Sequence, residues 1–244
     1  MSGHSKWNNI KRKKEKADGA RAKVFTKIGR ELSVAVKEGG GPDPDANSRL
    51  RDCIAKAKAA NVPNDNIDRI IKKAAGDGDD TKYENITYEG YGPGGVGVIV
   101  ETLTDNRNRT AGDLRHYFDK YGGNLGTTGC VSFLFSRKGV LVVEREGLEE
   151  DKVMEDCLEA GASDFQADED VFEIFTEPDD FSGVLADLEA KGYQFVSAEV
   201  EMVPTTYTKL EEGRAASMQH LLDALEDNDD VQNVWHNWEN ADEQ

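Results

Sequence analysis

A glycine-rich segment is the first motif in this sequence whose spacing could bind a cofactor. Residues 90–97 contain the pattern G-x-G-x-x-G twice, starting from Gly90 and from Gly92. A dinucleotide fingerprint needs such glycines to follow a strand and open a helix, so that backbone N–H groups meet the pyrophosphate. Here Pro93 removes one donor, and the residues that follow, 98–100, are Val-Ile-Val, which favours a strand. The segment predicts a glycine-rich hairpin, and we expect no cofactor.

Histidines, cysteines and carboxylates could form catalytic or metal sites, but their spacing does not favour this. The four histidines are dispersed, without the i, i+4 spacing of metal ligands or a neighbouring nucleophile motif. Cys53, Cys130 and Cys157 lie far apart, which argues against a disulfide framework or a cysteine-based zinc site and suits a reducing cytosol. We therefore expect a protein that is not an enzyme, holds no metal and has no small-molecule substrate.

Basic residues near the start of the chain have the type and spacing of phosphate contacts. Residues 4–16 form a basic, polar arm with one aromatic residue, and a helix is predicted to follow it. Four cations fall within roughly 60° on this helix, opposite its apolar face. We call Lys16, Lys23, Lys27 and Arg30 the basic stripe. Such a face can also merely solubilise a helical bundle. The predicted nucleic-acid-binding residues of the arm and the stripe are Lys6, Trp7, Lys11, Arg12, Lys13, Lys14, Lys16, Lys23, Lys27 and Arg30.

A second polar segment, Thr104–Thr110, stands where a predicted strand meets a predicted helix. Asp, Asn and Thr at such a junction cap helices in any protein. Arginines there are less expected, because a helix N-terminus already carries positive dipole charge. Arg107, Asn108 and Arg109 therefore predict a phosphate or anion site beside free backbone N–H groups. The segment Gly122–Gly126, near the other end of the same helix, is interpreted as part of an adaptable binding loop.

The net charge of −18 would by itself argue against a nucleic-acid partner, because phosphate binding needs a basic field. The charge is unevenly distributed, however. Residues 1–75 hold 18 Lys and Arg and 9 Asp and Glu, a net of +9, which leaves −27 for the rest. Residues 139–203 hold 20 acidic and 3 basic residues. This predicts a basic binding module joined to acidic ones; the acidic part could repel RNA, contact a basic protein partner or keep the chain soluble.

The elements that must position these residues follow from the hydrophobic period. A period of 3.6 predicts a three-helix bundle over about 20–75, with Pro63 between the second and third helices and Asn64 or Asp65 capping the third. A period of two then predicts strands at 83–89, 96–104 and 131–135, with a helix on 111–121. Residues 139–203 alternate as β-α-β-β-α-β, the ferredoxin-like order, and a helix and a strand follow at 215–225 and 231–235.

The predicted fold class is α+β and multidomain: an N-terminal three-helix bundle plus two ferredoxin-like α/β domains, one inserted in the other. The insertion follows because residues 96–135 supply half of a ferredoxin-like motif and the C-terminal helix and strand could supply the other half. The predicted domains are 1–78, the basic arm and bundle; 79–136 with 204–244, a discontinuous α/β domain; and 137–203, an acidic inserted domain. Without an apolar leader or a membrane-length apolar run, we expect no membrane partner and a cytoplasmic location.

Four segments, in this order along the chain, resemble the YebC/PmpR family. They are residues 1–7, 88–95, 104–110 and 122–126. The mitochondrial translational activator of cytochrome c oxidase is a relative in that family. The resemblance implies three domains and a non-enzymatic role in gene expression. Members are labelled as probable DNA-binding transcriptional regulators and are also described as ribosome-associated translation factors that relieve stalling at proline-rich stretches. At the positions that match the family's motifs, the resemblance makes the basic arm, Arg107 and Arg109 the best candidates for nucleic-acid contact. It implies no catalytic residue.

Two functions are compatible with these observations. The first is an RNA- or ribosome-binding translation factor that grips rRNA backbone with its basic module. The alternative is a DNA-binding transcriptional regulator, which needs a helix in the major groove with side chains for base edges. The basic helix is dominated by lysine, which serves phosphate contacts better than base readout, and this favours the first function.

Overall fold

The computed structural model describes residues 17–76 and 81–239. The described helices are α1 (Ala17–Glu38), α2 (Ser48–Ala59), α3 (Asn64–Ala75), α4 (Arg107–Lys120), α5 (Glu150–Ala160), α6 (Phe181–Ala190) and α7 (Glu212–Asp227). The described strands are β1 (Glu84–Tyr91), β2 (Gly97–Thr104), β3 (Asn124–Leu125), β4 (Phe135–Glu144), β5 (Asp164–Ala167), β6 (Val171–Thr176), β7 (Phe195–Pro204) and β8 (Val231–His236). They form two separate four-stranded sheets, so the predicted α+β, multidomain class is confirmed.

The chain divides into two compact units. Of the described residues, one unit contains 17–76 and 81–130 together with Glu211–Val234, and the other contains Val131–Leu210 and residues 235–239. These units are larger than the three domains predicted from the sequence, whose boundaries therefore stay a prediction. Among the described residues, no helix is both long enough and apolar enough to cross a membrane.

The first three helices form the predicted bundle around one apolar core. Its buried residues come from all three helices and the turn before α3: Ile28, Leu32, Ala35, Val36, Leu50, Ala57, Val62, Ile67 and Ala74. They recur three or four positions apart within α1, which is the spacing that places side chains on one helix face. The period-based prediction of this bundle is confirmed.

The ends of the bundle helices are set by a few polar and restricted residues. Buried Asn47 caps α2: its Oδ1 accepts from the N–H of Leu50 at 3.0 Å, and its Nδ2 donates to the carbonyl of Ala35 at 2.8 Å. The predicted cap of α3 by Asn64 or Asp65 is wrong. Pro63 occupies the cap position: its ring, which has no polar atom to form a side-chain hydrogen bond, fixes φ at −59°, and its carbonyl accepts from the N–H of Ile67.

The first sheet has the strand order β3-β1-β2-β8, with the β1–β2 hairpin at its centre. The glycine-rich segment forms the tip of this hairpin, as predicted. Its glycines are needed for close packing: a Cβ on Gly92 would lie 2.6 Å from Met218 Sδ on α7, and one on Gly90 would lie 2.6 Å from the carbonyl oxygen of Asn124. At the turn itself, Gly94 has φ +72°, which favours glycine.

The predicted third strand at 131–135 is wrong. Residues Ser132–Leu134 form a short 3₁₀ turn, closed by a 2.9 Å hydrogen bond from the N–H of Leu134 to the carbonyl of Val131. The strand beside β1 is instead β3, paired through Gly90 with Leu125 and Tyr91 with Asn124. The interpretation of Gly122–Gly126 as an adaptable loop is therefore wrong as well, because its central residues are part of the sheet.

The second sheet confirms the ferredoxin-like order predicted for residues 139–203. Its strands lie in the order β5-β6-β4-β7, and each neighbouring pair is antiparallel. Helices α5 and α6 pack on one face through Val153, Cys157, Val184 and Leu188. This is the split β-α-β arrangement that the alternation of strands and helices indicates.

Candidate nucleic-acid interface

A buried carboxylate, Asp230, lies at the centre of the polar contacts in the first unit. It follows α7 and precedes β8, and its side chain is 4% exposed. Arg109 donates to both of its oxygens from Nη2, at 2.9 and 2.7 Å, and Arg30 donates from Nη1 at 2.5 Å. Thr110 Oγ1 donates at 2.7 Å and Thr104 Oγ1 at 3.2 Å. We call these five residues the Asp230 network.

The Asp230 network keeps its carboxylate charged. Burial alone would raise the pKa of Asp230, but the hydrogen bonds from Arg109, Thr110 and Arg30 outweigh burial and lower the pKa below its ordinary value. Two guanidinium groups therefore have a fixed anionic partner at neutral pH. Because Arg30 belongs to α1 and Arg109 to α4, this carboxylate joins the helical bundle to the helix that follows β2.

The described members of the basic stripe, Lys23, Lys27 and Arg30, do not face away from the rest of the protein. Lys23 Nζ lies 2.8 Å from Asp227 Oδ1, Lys27 Nζ donates to the carbonyl of Glu226 at 2.8 Å, and Arg30 donates to the carbonyl of Asp229 at 2.9 Å. Carbonyls at a helix C-terminus have no partner within the helix and carry the negative end of its dipole, so cations are favourable beside the end of α7.

The expected outward orientation of Lys23, Lys27 and Arg30 is therefore wrong. A helical projection identifies the side of α1 that is opposite its own core, but not a second element that docks there. Arg30 keeps 18% of its side chain exposed, whereas Lys23 keeps 41% exposed. Contact of these three residues with nucleic acid stays a prediction, and a phosphate group would have to replace their present partners at the end of α7.

The two arginines of the Thr104–Thr110 segment have different partners in the structure. Asn106 caps α4 as predicted, accepting from the N–H of Arg109 at 3.1 Å. The Arg109 side chain binds Asp230 and also Asp105, at 2.8 Å. Its position beside the positive end of α4 is thus compensated by carboxylates within the protein, which the sequence-based expectation of a phosphate site did not include.

Arg107 is the more accessible cation of this segment. Its side chain is 64% exposed and forms an ion pair of 3.0 Å with Glu84, which is 58% exposed. An ion pair between two such exposed groups contributes only about 0–1 kcal/mol, so a phosphate group could replace Glu84. Asn108, next to it, is also exposed. The structure thus places Arg107 and Asn108 together on the exposed first turn of α4, whereas the guanidinium of Arg109 on the same turn is bound to Asp230 and Asp105.

Residues 126–130, which follow β3, are held by a second buried carboxylate, that of Glu89 on β1. Its Oε1 accepts from the N–H of Gly129 at 2.8 Å, and its carbonyl accepts from the N–H of Gly126 at 2.8 Å. Tyr91 Oη donates to the carbonyl of Cys130 at 2.8 Å. These bonds fix the course of residues 126–130 along the sheet, so this region is rigid support rather than a flexible loop.

Sequence reasoning missed the acidic partners Asp227 and Asp230, which lie about 200 positions from the basic stripe in the chain. The signal was present in part: two arginines at a helix N-terminus require a nearby anion, and a carboxylate of the protein satisfies that requirement as well as a phosphate. The predicted arm residues, Lys6, Trp7, Lys11, Arg12, Lys13, Lys14 and Lys16, lie outside the described residues.

Comparisons with known proteins agree along nearly the whole chain. Residues 5–77 match the family model described as the TACO1/YebC protein N-terminal domain, and residues 83–238 match the model of the TACO1/YebC second and third domain. A probable transcriptional regulatory protein from Acetivibrio thermocellus is 61% identical over 98% of this chain and 99% of its own length. One of the same description from Caldicellulosiruptor bescii is 60% identical over the full length of both chains.

A solved structure supports the same architecture. The crystal structure of a conserved hypothetical protein from Aquifex aeolicus is 45% identical to this chain and superimposes with a TM-score of 0.81. The match covers 92% of this chain and 93% of the other. A similarity of this extent includes both sheets and the helical bundle.

Proposed function

The chain belongs to the TACO1/YebC family, and on this basis we propose that it is a non-enzymatic, nucleic-acid-binding regulator of gene expression. The names of its relatives, probable transcriptional regulatory proteins, support the class of regulator. Within that class we favour an RNA- or ribosome-binding translation factor that acts in the cytoplasm and relieves stalling at proline-rich stretches. This finer assignment rests on the family resemblance and on the distribution of charge.

The observation that carries the proposal is the exposed cationic turn at the start of α4. Arg107 and Asn108 stand beside a helix N-terminus, and the Asp230 network fixes that turn through Arg109 and Thr110. Free N–H groups, a positive dipole and an exposed guanidinium together favour a phosphate group. The turn is held rigidly, so little ordering is needed when the ligand binds.

A factor of this kind can act without chemistry of its own. The proline ring fixes φ and removes the backbone N–H, which restricts how a prolyl substrate can be oriented for peptide transfer. Holding the reacting groups in a productive geometry lowers the barrier of such a step. In this proposal the basic module binds rRNA backbone and the α4 turn reaches the region where the substrates are positioned.

The test separates binding from activity. Wild-type protein and Arg107→Glu are sedimented with purified ribosomes, and both are added to an in vitro translation reaction that reads a proline-rich stretch. We expect the wild type to co-sediment and to increase full-length product, and Arg107→Glu to lose both effects while it unfolds at the wild-type temperature. A matched control is Arg115→Glu, an exposed position on the same helix. Absence of the wild type from the ribosome fraction would contradict the ribosomal assignment.

The alternative is a DNA-binding transcriptional regulator, which the names of the relatives favour. It requires side chains that read base edges, whereas the basic stripe is mostly lysine, and Lys23 and Lys27 are bound to the end of α7. Salt-sensitive binding to one promoter sequence, with weaker binding to a scrambled duplex of equal length, would support this alternative over the first.

A further inference from the structure

The contact between α1 and the end of α7 joins two parts of the first unit that are each stabilised separately. The bundle forms a core of its own, from residues between Ile28 and Ala74. A single connection, from Ala75 to Glu84, continues the chain from the bundle into the first sheet. Helix α7 packs on that sheet, because its buried residues Met218 and Leu221 lie against the hairpin at Gly92. Neither part therefore needs the other to bury these core residues.

The contacts that link α1 to the end of α7 are charged or polar. The ion pair between Lys23 and Asp227 is the outermost of them. Lys27 and Arg30 bind backbone carbonyls, and Arg30 also binds the carboxylate of Asp230. We call these contacts the α7 clasp. Its members are Lys23, Lys27 and Arg30 on α1, and Glu226, Asp227, Asp229 and Asp230 at the end of α7.

The outer part of the α7 clasp is weak and replaceable. The side chains of Lys23 and Asp227 are 41% and 75% exposed, and an ion pair between such groups contributes little and is screened by salt. The carbonyl that Lys27 binds is neutral, whereas a phosphate group carries a full negative charge. An RNA backbone presents several such charges in series, so it can replace both partners together.

Opening the α7 clasp leaves no unpaired charge in the interior. Three donors to buried Asp230 belong to β2 and α4 rather than to the bundle: Thr104, Arg109 and Thr110. They keep donating to this carboxylate when Arg30 is withdrawn. Arg30, which is 18% exposed in the closed arrangement, then returns to water or binds a phosphate group. The large penalty of breaking a buried ion pair comes from an uncompensated buried charge, and here it is avoided.

We infer that the α7 clasp is an autoinhibitory contact: the end of α7 and the phosphates of RNA compete for the same cations of α1, and the clasp opens when RNA binds. The inference rests on the proposed function and adds regulation to it. Affinity for RNA is then reduced by the fraction of molecules whose clasp is closed. A polyanion that reaches only one of Lys23, Lys27 and Arg30 leaves the other contacts in place, so the clasp favours ligands that engage all three.

The first test measures the affinity of the full-length protein for a fluorescein-labelled RNA hairpin by anisotropy. Asp227→Asn removes the ion pair with Lys23, and we expect it to bind RNA about 2- to 5-fold more tightly, which is the contribution of an exposed ion pair expressed as a ratio of affinities. The matched control is Asp229→Asn. It removes an equal charge two residues away, at an exposed position whose carbonyl, not its carboxylate, binds Arg30. It should change affinity by less than about 1.5-fold.

The opposite side of the ion pair gives a result of opposite sign. Lys23→Ala breaks the same contact but also removes a cation that binds phosphate, so it should weaken RNA binding. Its control is Lys72→Ala, which removes an exposed cation from α3 and should weaken binding less. All four variants alter exposed or half-exposed side chains, and they should unfold at the wild-type temperature.

The second test follows the α7 clasp itself in the wild-type protein. A carbodiimide joins Lys23 Nζ to Asp227 Oδ1, which lie 2.8 Å apart, as an amide with loss of water. Mass spectrometry of the linked peptides measures the yield. The reference is the pair of Lys56 and Glu31 inside the bundle, at 3.0 Å. A saturating RNA hairpin without terminal phosphates should lower the ratio of the first amide to the second at least about 2-fold.

The outcomes distinguish this inference from the proposed function. If the wild type binds RNA but Asp227→Asn and Asp229→Asn bind it equally well, the end of α7 is not a competitor and the inference alone is overturned. A gain in affinity for Asp227→Asn with an unchanged ratio of amides shows that the lost charge acts from a distance, which also overturns it. If the wild type binds neither RNA nor ribosomes, the proposed function fails together with the inference.

Discussion

Replacing Asp230 by asparagine keeps the shape of the side chain but removes the charge that Arg30 and Arg109 share. One carboxylate oxygen becomes an NH₂ group, which faces donors instead of accepting from them. Removing one partner of a buried ion pair costs about 3–5 kcal/mol. Because the Arg109 side chain is 43% exposed it can be rehydrated, whereas Arg30 at 18% cannot be rehydrated fully. We therefore expect a loss of about 2–3 kcal/mol in the free energy of unfolding.

The measurement is urea and thermal unfolding followed by circular dichroism. For a chain of this length, such a loss lowers the Tm by about 4–12 °C. The control is Asp229→Asn, which changes the neighbouring, exposed carboxylate and should stay within about 0.5 kcal/mol of the wild type. Equal stability of Asp230→Asn and wild type, or an equal loss in both variants, would refute the role assigned to the Asp230 network.

Lowering the pH should remove the contribution of the Asp230 carboxylate to the free energy of unfolding. The pKa of Asp230 is held below its ordinary value by its hydrogen bonds, in spite of burial. A carboxylate whose pKa is lowered by folding stabilises the protein fully above its unfolded pKa, and this contribution is lost as the pH falls through the folded pKa. The difference in stability between wild type and Asp230→Asn should thus be constant near neutral pH and shrink from about pH 4 downward. A difference that grows on acidification would contradict the assigned sign.

Five further replacements test the basic residues and two glycines. Arg107→Ala should weaken RNA binding and lower the free energy of unfolding by less than about 0.5 kcal/mol. Arg109→Ala should lower the free energy of unfolding by about 2 kcal/mol, because it removes one hydrogen-bond partner of buried Asp230. Fluorescence anisotropy measures the RNA binding of the two variants, and thermal unfolding measures their stability. Replacing residues 11–14 by alanine should reduce the salt dependence of binding by about 0.7–0.9 log units per lost phosphate contact, and an unchanged slope would exclude the arm. Gly123→Ala should destabilise, because its Cβ would lie 2.4 Å from a backbone oxygen, whereas Gly112→Ala, in open space on α4, should stabilise by about 0.4–1 kcal/mol.

The sequence predicted those elements whose pattern repeats several times. The bundle helices have three or more apolar turns and end at glycine or proline, and the strands of the second sheet are each bounded by turns or helices. Strand β3 was not predictable in this way, because two residues have no period. Residues 131–135 resemble a strand, since Val131, Phe133 and Phe135 alternate. Exposure of Phe133 shows that this alternation does not follow burial.

The candidate site was predictable in composition but not in orientation. Arg107 and Asn108 lie on an exposed helix turn, as the capping signals and the charge suggested. Arg109, Arg30 and Lys23 instead bind carboxylates. Whether a cation faces a phosphate or a carboxylate of its own chain depends on which distant segments fold against it, and this information is not contained in local spacing.

The position of β8 in the first sheet has a consequence for how the chain folds during synthesis. β8 lies next to β2 in the sheet but is separated from it by more than 120 residues in the chain, and the partners of Lys23, Lys27 and Arg30 lie in the last turn of α7 and in the segment between α7 and β8. While residues 131–210 are being made, β2 therefore has an unpaired edge whose residues are almost all buried in the finished fold. Non-local pairing of this kind is slow and leaves an aggregation-prone edge for its duration. The sheet whose first strands are synthesised first is thus completed after the second sheet.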